Sequence, residues 1–249
     1  MTRPPAFEAQ DLHYSYRDAP ALNGLSLTIP AGRRLALLGA NGSGKSTLLR
    51  LLDGLIFPAG GSLQAFGDRL SEARLAEEAW ALAFRRRVGL VFQNPEVQLF
   101  NPTVFDELAF GPLQLGWGPE RTRAAVTEML ESQGLAGLKD RPPHRLSGGE
   151  KKRVALASVM ILAPEVLLLD EPTAALDPAS RRRVIDQLTG LRGTGRTLVT
   201  ATHDLDILTD ISDHVAVLAE GRVVGEGSPQ AILADRELLA RSGLLAPHR

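Results

Sequence analysis

Cysteine is absent from this chain of 249 residues, which excludes disulfide bonds and thiolate metal sites. No apolar run approaches the roughly 20 residues of a membrane-spanning helix, and no apolar signal core follows the first five residues. An excess of one charge is also lacking, because 28 basic and 29 acidic residues leave a formal net charge of −1. The charge therefore gives no sign of nucleic-acid binding. We expect a protein of a reducing compartment, without a membrane span of its own but free to dock onto a membrane protein.

One stretch matches the phosphate-binding loop pattern G-x-x-x-x-G-K-[ST]. It comprises Gly39, Ala40, Asn41, Gly42, Ser43, Gly44, Lys45, Ser46 and Thr47. Glycines let successive backbone N–H groups point at one anion, the ammonium of Lys45 reaches terminal phosphates, and the hydroxyl of Ser46 suits Mg²⁺. An apolar strand over 34–38 precedes the loop and a helix over 47–52 follows it. This context favours a nucleotide site over a glycine-rich turn without a ligand.

Strands and helices alternate along most of the sequence. Strands are predicted at 7–16, 22–29, 34–38, 62–66, 88–92, 166–169 and 197–202, with a last hairpin at 214–218 and 223–225. Helices are predicted at 47–52, 71–86, 103–110, 120–133 and 178–191, and from 147, 204 and 228 onward. The order predicts an α/β protein: a P-loop NTPase core with an N-terminal antiparallel β subdomain and an inserted α-helical subdomain.

Changes in composition indicate where the domains divide. Proline and glycine punctuate the chain from Asn94 to Pro119, and helical patterns dominate there. We predict a nucleotide-binding α/β core with its β subdomain over 1–93 and 150–227, and a helical subdomain over 94–149. A C-terminal helical tail is predicted over 228–249, because serine at 228 and proline at 229 are typical of a helix start.

Two carboxylates follow the apolar strand at 166–169 directly. Asp170, at the carboxyl end of a strand in the same sheet as the phosphate loop, is placed to hold Mg²⁺. Glu171 beside it is placed to accept a proton from an attacking water, or to orient it. An acidic turn before a proline is the alternative, and the phosphate loop favours the functional interpretation.

A second anion-binding pattern lies at Ser147, Gly148, Gly149 and Glu150. A capping serine and two glycines at a helix start can bind an anion, although alone they indicate only a helix N-cap. One nucleotide needs one phosphate loop, so the second element requires an explanation.

Together these motifs resemble those of the nucleotide-binding subunit of an ABC transporter. The resemblance rests on residues that occur in that family's order: 39–47, Gln93, 146–150, 170–171, 174–177 and His203. It implies ATP and Mg²⁺ as ligands, ATP hydrolysis, and a head-to-tail dimer. In that dimer, residues 147–150 of one subunit would cover the ATP held by the phosphate loop of the other.

The same resemblance implies roles for further residues. Gln93 would contact Mg²⁺ and the attacking water and begin a flexible link to the helical insert, and His203 would contact the γ-phosphate. Asp177 would cross the dimer interface. Tyr16 would stack on adenine, with Tyr14 as its rival, although both also fit as ordinary strand aromatics.

The segment after Gln93 resembles the ATPases of energy-coupling-factor importers, which serve cobalt, nickel or vitamin uptake. The matching residues are 93–100, 102–104 and 109–112, and four positions depart from the usual pattern: Ala40, Val97, Glu150 and Ala175. The implied partners are a transmembrane coupling subunit, a substrate-binding membrane subunit and a second ATPase subunit. We expect a homodimer at the cytoplasmic face of the membrane, serving cobalt or nickel uptake.

Five apolar residues of the insert would line a groove for a helix of the membrane partner: Val97, Leu99, Phe100, Val104 and Phe110. Packing inside the insert explains them equally well. Two other functions remain open: an ABC-type ATPase acting on nucleic acid or ribosomes, and a nucleotide-gated module without turnover. The near-neutral charge counts against the first, and the presence of Glu171 and His203 against the second.

Overall fold

A computed structural model describes residues 4–17 and 19–245, and it contains two sheets flanked by helices. The strands are β1 (Phe7–Tyr16), β2 (Ala19–Ile29), β3 (Arg34–Leu38), β4 (Gly60–Ala65), β5 (Asp68–Arg69), β6 (Val88–Val91), β7 (Val166–Asp170), β8 (Thr197–Thr202), β9 (His214–Ala219) and β10 (Arg222–Gly227). The helices are α1 (Lys45–Leu52), α2 (Glu72–Leu75), α3 (Glu78–Arg87), α4 (Val104–Gln114), α5 (Pro119–Ser132), α6 (Gly148–Met160), α7 (Pro178–Gly190), α8 (Leu208–Ile211), α9 (Pro229–Ala234) and α10 (Arg236–Arg241). Within the described residues, no helix has the length and apolar character needed to cross a membrane.

The larger sheet has six strands in the order β10-β9-β3-β8-β7-β6. Neighbouring strands in this sheet are parallel, except β9 and β10, which form an antiparallel hairpin. Strands β3, β7 and β8 are buried at every residue, as expected of parallel strands covered on both faces. In β7, Leu168 packs in the same apolar cluster as α1, whereas Leu167 and Leu169 pack with α7.

The carboxyl ends of β3, β7 and β8 lie at one edge of this sheet, because the three strands are parallel and in register. Leu38 is paired with Thr202, and Asp170 with Ala201. The phosphate loop, Glu171 and His203 follow those ends directly. The topology therefore gathers residues that are far apart in the sequence at one edge, as the sequence predicted.

The smaller sheet is antiparallel, in the order β2-β1-β4-β5, and confirms the predicted β flank. It shares one apolar cluster with α1, in which Phe7, Leu25 and Leu48 are all fully buried. The phosphate-loop helix is thereby held between the two sheets.

The predicted insert over 94–149 contains α4, α5 and the start of α6. Its buried residues form a cluster of their own, which includes Val104, Leu108, Val126 and Leu130. Helix α6 joins this cluster through Val154 and the main sheet's cluster through neighbouring residues. Helix α6, called the signature helix below because it begins at the anion-binding pattern 147–150, is thus packed on both parts of the chain. The exact boundary at 149 stays a prediction.

Two helix predictions need correction. The single helix expected over 71–86 is broken into α2 and α3, because Glu77 has extended backbone angles and caps the second piece. Both pieces reach the main core, through Leu75 and Phe84 respectively. The helix expected from Asp204 begins as a 3₁₀ turn at Leu205–Ile207 and becomes α-helical only in α8. The predicted tail over 228–249 contains α9 and α10, and its last four residues lie outside the described part of the chain.

Candidate functional site

The phosphate loop leaves no room for side chains at its first glycine. A Cβ on Gly39 would lie 2.4 Å from the backbone oxygen of Leu218 and 2.5 Å from Oγ of Ser43. Gly42 and Gly44 have φ angles of +83° and +103°, a region that favours glycine. The glycines therefore determine the shape of the loop, and its backbone faces the cleft that is described below.

Lys45 begins α1 and is nearly enclosed by the loop. Its Nζ donates to the backbone oxygens of Gly39 at 2.6 Å and Ala40 at 3.0 Å. Burial lowers the pKa of Lys45, and the nearby carboxylates of Glu171 and Asp170 oppose that shift. The ammonium is thus held over the loop by two backbone carbonyl oxygens, in the position from which it can contact an anion.

Ser46 and Asp170 form an oxygen pair beside Lys45. Ser46 Oγ donates to Asp170 Oδ1 at 3.0 Å, and the Asp170 carboxyl is buried. Burial raises the pKa of Asp170, while the hydrogen bond from Ser46 lowers it. Among the described residues there is no cluster of three or more His, Cys, Asp or Glu side chains that would form a self-sufficient metal cage. A hydroxyl plus one carboxylate fits Mg²⁺, which commonly takes its other ligands from phosphates and water.

Glu171 is buried and has an unusual backbone conformation. Its φ of +45° is strained for a residue with a side chain, and such strain clusters at functional sites. Its Oε1 is 2.8 Å from Nδ1 of His203 and 4.0 Å from Nζ of Lys45. Its Oε2 accepts a hydrogen bond of 3.4 Å from the hydroxyl of Thr202. The carboxylate is therefore held from three sides.

Lys45, Ser46 and Glu171 open onto a cleft of about 430 Å³, whereas His203 lines a neighbouring cleft that also includes Glu171. The lining of the 430 Å³ cleft includes Gln93, Glu171 and much of the phosphate loop, and Tyr16 forms part of its wall. Tyr16 is 41% exposed, and its hydroxyl accepts a 3.0 Å hydrogen bond from Arg50. Tyr14 instead packs on the main apolar cluster, with its ring edge-on to Tyr16. Of the two rivals, the structure places Tyr16 at the cleft.

Ser43 is also informative because its hydroxyl is buried and has no hydrogen-bond partner among the described residues. A buried polar group without a partner is uncommon and calls for a ligand, a water or an ion. Its position inside the phosphate loop fits the phosphate-binding interpretation.

The second anion-binding pattern is not part of this cleft. Ser147 caps α6, because its hydroxyl accepts a hydrogen bond from the backbone N–H of Glu150. In return, the Glu150 carboxylate accepts a hydrogen bond of 2.8 Å from the backbone N–H of Ser147. The Glu150 side chain is thus used within the cap, and this hydrogen bond lowers its pKa. None of the residues 147–150 lines the cleft of about 430 Å³ described above.

Three residues near the site were not predicted. Thr202 contacts Glu171, Arg50 contacts Tyr16, and Lys152 donates to the backbone oxygen of Gln93. Only Lys152 carried a sequence signal, since it lies one turn before the apolar residues 155 and 156 on the same helix. Its neighbour Lys151 looks the same in sequence, so the pattern could not select between them.

The apolar residues of the insert divide into two groups. Val104 is fully buried and Leu99 is partly buried, so both serve as packing. Val97, Phe100 and Phe110 are 66%, 67% and 41% exposed, and the two rings meet edge-to-face at 5.0 Å. Exposed aromatic residues that pack on each other at a surface are typical of a protein contact.

A family model described as "ABC transporter" matches residues 22–174. The nickel import ATP-binding protein NikO of Rhodobacter capsulatus is 63% identical over 244 residues, covering 97% of this chain and 96% of that protein. The cobalt import ATP-binding protein CbiO of the same organism is 46% identical, covering 98% of this chain and 86% of that protein.

Solved structures agree with these matches. CbiO1 of Clostridium perfringens, described as part of the ABC transporter complex CbiONQ, superposes with a TM-score of 0.80 at 35% identity, covering 98% of this chain and 96% of that one. The dimeric post-hydrolysis state of the ATP-binding cassette MJ0796, bound to ADP and Pi, has a TM-score of 0.80 at 25% identity, covering 90% of this chain and 98% of that one.

Proposed function

The chain belongs to the ABC transporter family, and from this premise we propose that it is the ATP-hydrolysing motor subunit of an energy-coupling-factor importer for nickel or cobalt ions. The family and the α/β cassette fold are established by the matches, whereas the cargo is inferred from the names of relatives. Nickel is the first choice because the nickel import relative is 63% identical and the cobalt import relative 46%.

The observation that carries hydrolysis is the arrangement of Lys45, Glu171 and His203 at the carboxyl edge of the parallel sheet. Glu171 is held by its neighbours in a buried position, where it accepts a proton from the attacking water or orients it. Lys45 stabilises negative charge on the transferred phosphoryl group. His203 fixes the carboxylate and reaches toward the γ-phosphate.

Ser46, Asp170 and the side chain of Gln93 would hold Mg²⁺, which supplies charge neutralisation at the β- and γ-phosphates when bound. Tyr16 would stack on the adenine at the wall of the cleft. The backbone N–H groups of residues 39–47 would cradle the phosphates, with the field of α1 behind them.

The second phosphate-type element supports a head-to-tail dimer. Residues 147–150 lie outside their own chain's cleft, so they are free to cover a nucleotide held by a second subunit. Asp177, which caps α7 through the N–H groups of Ala179 and Ser180, would contribute to the same interface. We favour a homodimer, and ATP would stabilise it because the γ-phosphate gains ligands only when two subunits close.

The exposed surface formed by Val97, Phe100 and Phe110 would receive a helix of the transmembrane coupling subunit, at the cytoplasmic face of the membrane. A substrate-binding membrane subunit would complete the importer. In this scheme 94–149 moves relative to the core formed by 1–93 and 150–227 during closure. The alternative of an ATPase acting on nucleic acid or ribosomes is not supported, since the named relatives are import and energy-coupling-factor subunits.

Light scattering on size-exclusion fractions of Glu171→Gln tests this proposal. We expect a shift from monomer to dimer on adding MgATP, and Ser147→Arg should abolish the shift. Ser132→Arg, at an exposed serine near the end of α5, is the matched control and should leave it intact. A Glu171→Gln protein that binds ATP yet stays monomeric would overturn the homodimer, and adding a partner ATPase would then test a heterodimer.

A further inference from the structure

The segment that follows β6 is attached to the signature helix at three points. Nζ of Lys152 donates to the backbone oxygen of Gln93, and Lys151 pairs with Glu96 at 2.6 Å. Gln98 donates to the backbone oxygen of Ala155 at 2.8 Å and to the hydroxyl of Ser158 at 3.2 Å. The link after Gln93, which the sequence predicted to be flexible, is therefore bonded along α6.

Lys152 differs from the other two attachments because it is buried. It is only 4% exposed, whereas Glu96 in the neighbouring pair has a side chain that is 65% exposed. Burying an ammonium group is costly unless it is partnered, so the bond to Gln93 is not an incidental surface contact. Burial lowers the pKa of Lys152, and the fields of Asp170 and Glu171 oppose that shift.

Lys152 also lies where three functional segments meet. A cleft of about 360 Å³ is lined by Gln93–Glu96, by the start of α6 including Gly148, and by residues 174–176. Gln93 lines this cleft and the nucleotide cleft as well. A displacement of α6 thus has a direct mechanical connection to a residue at the nucleotide.

We propose that Lys152 is a positioning residue that fixes Gln93 in the nucleotide cleft and transmits movement of the signature helix to it. The proposal rests on the function proposed above, in which Gln93 contacts the metal and the attacking water. In this proposal Lys152 acts on hydrolysis through Gln93. The Lys151–Glu96 pair, in which Glu96 is exposed and Lys151 half-buried, does not share this role.

A double-mutant cycle tests the connection. Lys152→Met keeps the length of the side chain but removes the donor, and we expect kcat for MgATP hydrolysis to fall about tenfold. Lys151→Met is the matched control and should retain kcat within threefold. In a Gln93→Ala background, Lys152→Met should change kcat by less than twofold, because the backbone bond remains but the side chain that it positions is already gone. Binding of a fluorescent ATP analogue without metal should stay within twofold in every variant.

A second readout does not depend on turnover. The chain has no cysteine, so a nitroxide on Val97→Cys, an exposed position in the turn after Gln93, reports only on that segment. In EDTA, Lys152→Met should increase the mobility of the label relative to the same label in the otherwise unchanged protein.

Two results would overturn the proposal: unchanged label mobility in Lys152→Met, or a loss of kcat that is equal in the wild-type and Gln93→Ala backgrounds. If Lys152→Met fails to bind the ATP analogue, Lys152→Gln replaces it under the same two criteria. Absence of hydrolysis by the wild-type protein would instead contradict the proposed function and leave the mobility result to decide the role of Lys152.

Discussion

Oε1 of Glu171 lies 2.8 Å from Nδ1 of His203, so two side chains 32 positions apart in the sequence form one hydrogen-bonded unit. A carboxylate oxygen accepts in this pair when Nδ1 carries the ring proton. Glu171 is buried while the side chain of His203 is 51% exposed. The histidine therefore connects the enclosed carboxylate to a neighbouring cleft, which both residues line.

This unit predicts non-additive kinetics. Glu171→Gln should reduce kcat at least about a hundredfold, because a general base contributes 10²–10⁴-fold. His203→Ala should also reduce kcat, since it releases the carboxylate from its oriented position. The double variant should be no slower than the slower single variant, as measured by steady-state phosphate release.

The control uses a second His–Glu pair with no contact to the cleft. His214 and Glu226 lie 3.2 Å apart on the β9–β10 hairpin. His214→Ala should leave kcat within twofold. If the effects of Glu171→Gln and His203→Ala multiply in the double variant, the two residues act independently and the coupled unit is wrong.

The wall of the cleft gives a second prediction. Tyr16→Ala should weaken ATP binding about tenfold, because stacking of a base on an aromatic ring is worth about 1–3 kcal/mol. Tyr16→Phe should retain most of the affinity, since the ring remains. Tyr14→Ala should lower the melting temperature, because Tyr14 packs on the core, and it should weaken ATP binding less than Tyr16→Ala does. Calorimetric titration with ATP and thermal unfolding check these outcomes, and a larger affinity loss in Tyr14→Ala would reverse the assignment.

The sequence could not decide between these tyrosines for a physical reason. Tyr14 and Tyr16 are two positions apart on one strand, so alternation puts them on the same face. The structure has a shift of register between Tyr14 and Ser15, which breaks that alternation. Bulges of this kind depend on the pairing partner and leave no local pattern in the strand itself.

Other parts of the site were predictable because their spacing is local. Lys45 and Ser46 belong to one continuous loop, and Asp170 and Glu171 follow an apolar run that reads as a buried strand. Contacts such as Lys152 to Gln93 join residues 59 positions apart, and their existence depends on how α6 packs. Periodicity gives the face of a helix, but not which distant backbone atom that face meets.

Gly39 gives a third prediction, about stability. In Gly39→Ala the new Cβ would approach the backbone oxygen of Leu218 to 2.4 Å, and backbone yields less than a flexible side chain. We expect a loss of about 1–3 kcal/mol in the free energy of unfolding, together with loss of ATP binding. Gly190→Ala, where a Cβ meets nothing within 4 Å, should be neutral or slightly stabilising. Urea unfolding with and without ATP measures the stability and the ATP binding of both variants. Equal stability of Gly39→Ala and Gly190→Ala would refute the packing argument.

Asp53, at the end of α1, gives a pH-dependent prediction. Burial raises its pKa from 3.8 to about 7, partly opposed by Arg85. Between these values the folded protein holds a proton that the unfolded chain has released, so Asp53 makes stability fall as the pH rises from about 4 to 7. Above pH 7 Asp53 is ionised in the folded protein as well, and its full destabilising effect is present. Asp53→Asn should therefore match the wild type near pH 4 and exceed it at pH 8, by at most about 4 kcal/mol.

Urea unfolding of both proteins from pH 4 to 8 measures that difference. Asp68→Asn, at an exposed acid on β5, serves as the control and should show no gain at pH 8. A constant difference between Asp53→Asn and the wild type across the whole range would mean that the effect is packing and not titration.

The exposed surface of the insert gives the last prediction. Phe100→Ser removes a ring that is 67% exposed and packs edge-to-face with Phe110, so the folded subunit should keep most of its stability and its basal hydrolysis. Assembly with the membrane subunits should be lost, because aromatic residues at the centre of an interface carry much of its binding energy. Leu55→Ser, at a leucine that is 52% exposed elsewhere on the core, is the control and should assemble normally. Co-purification of the tagged membrane complex with each variant measures this. Normal assembly of Phe100→Ser would mean that the partner docks elsewhere on the subunit.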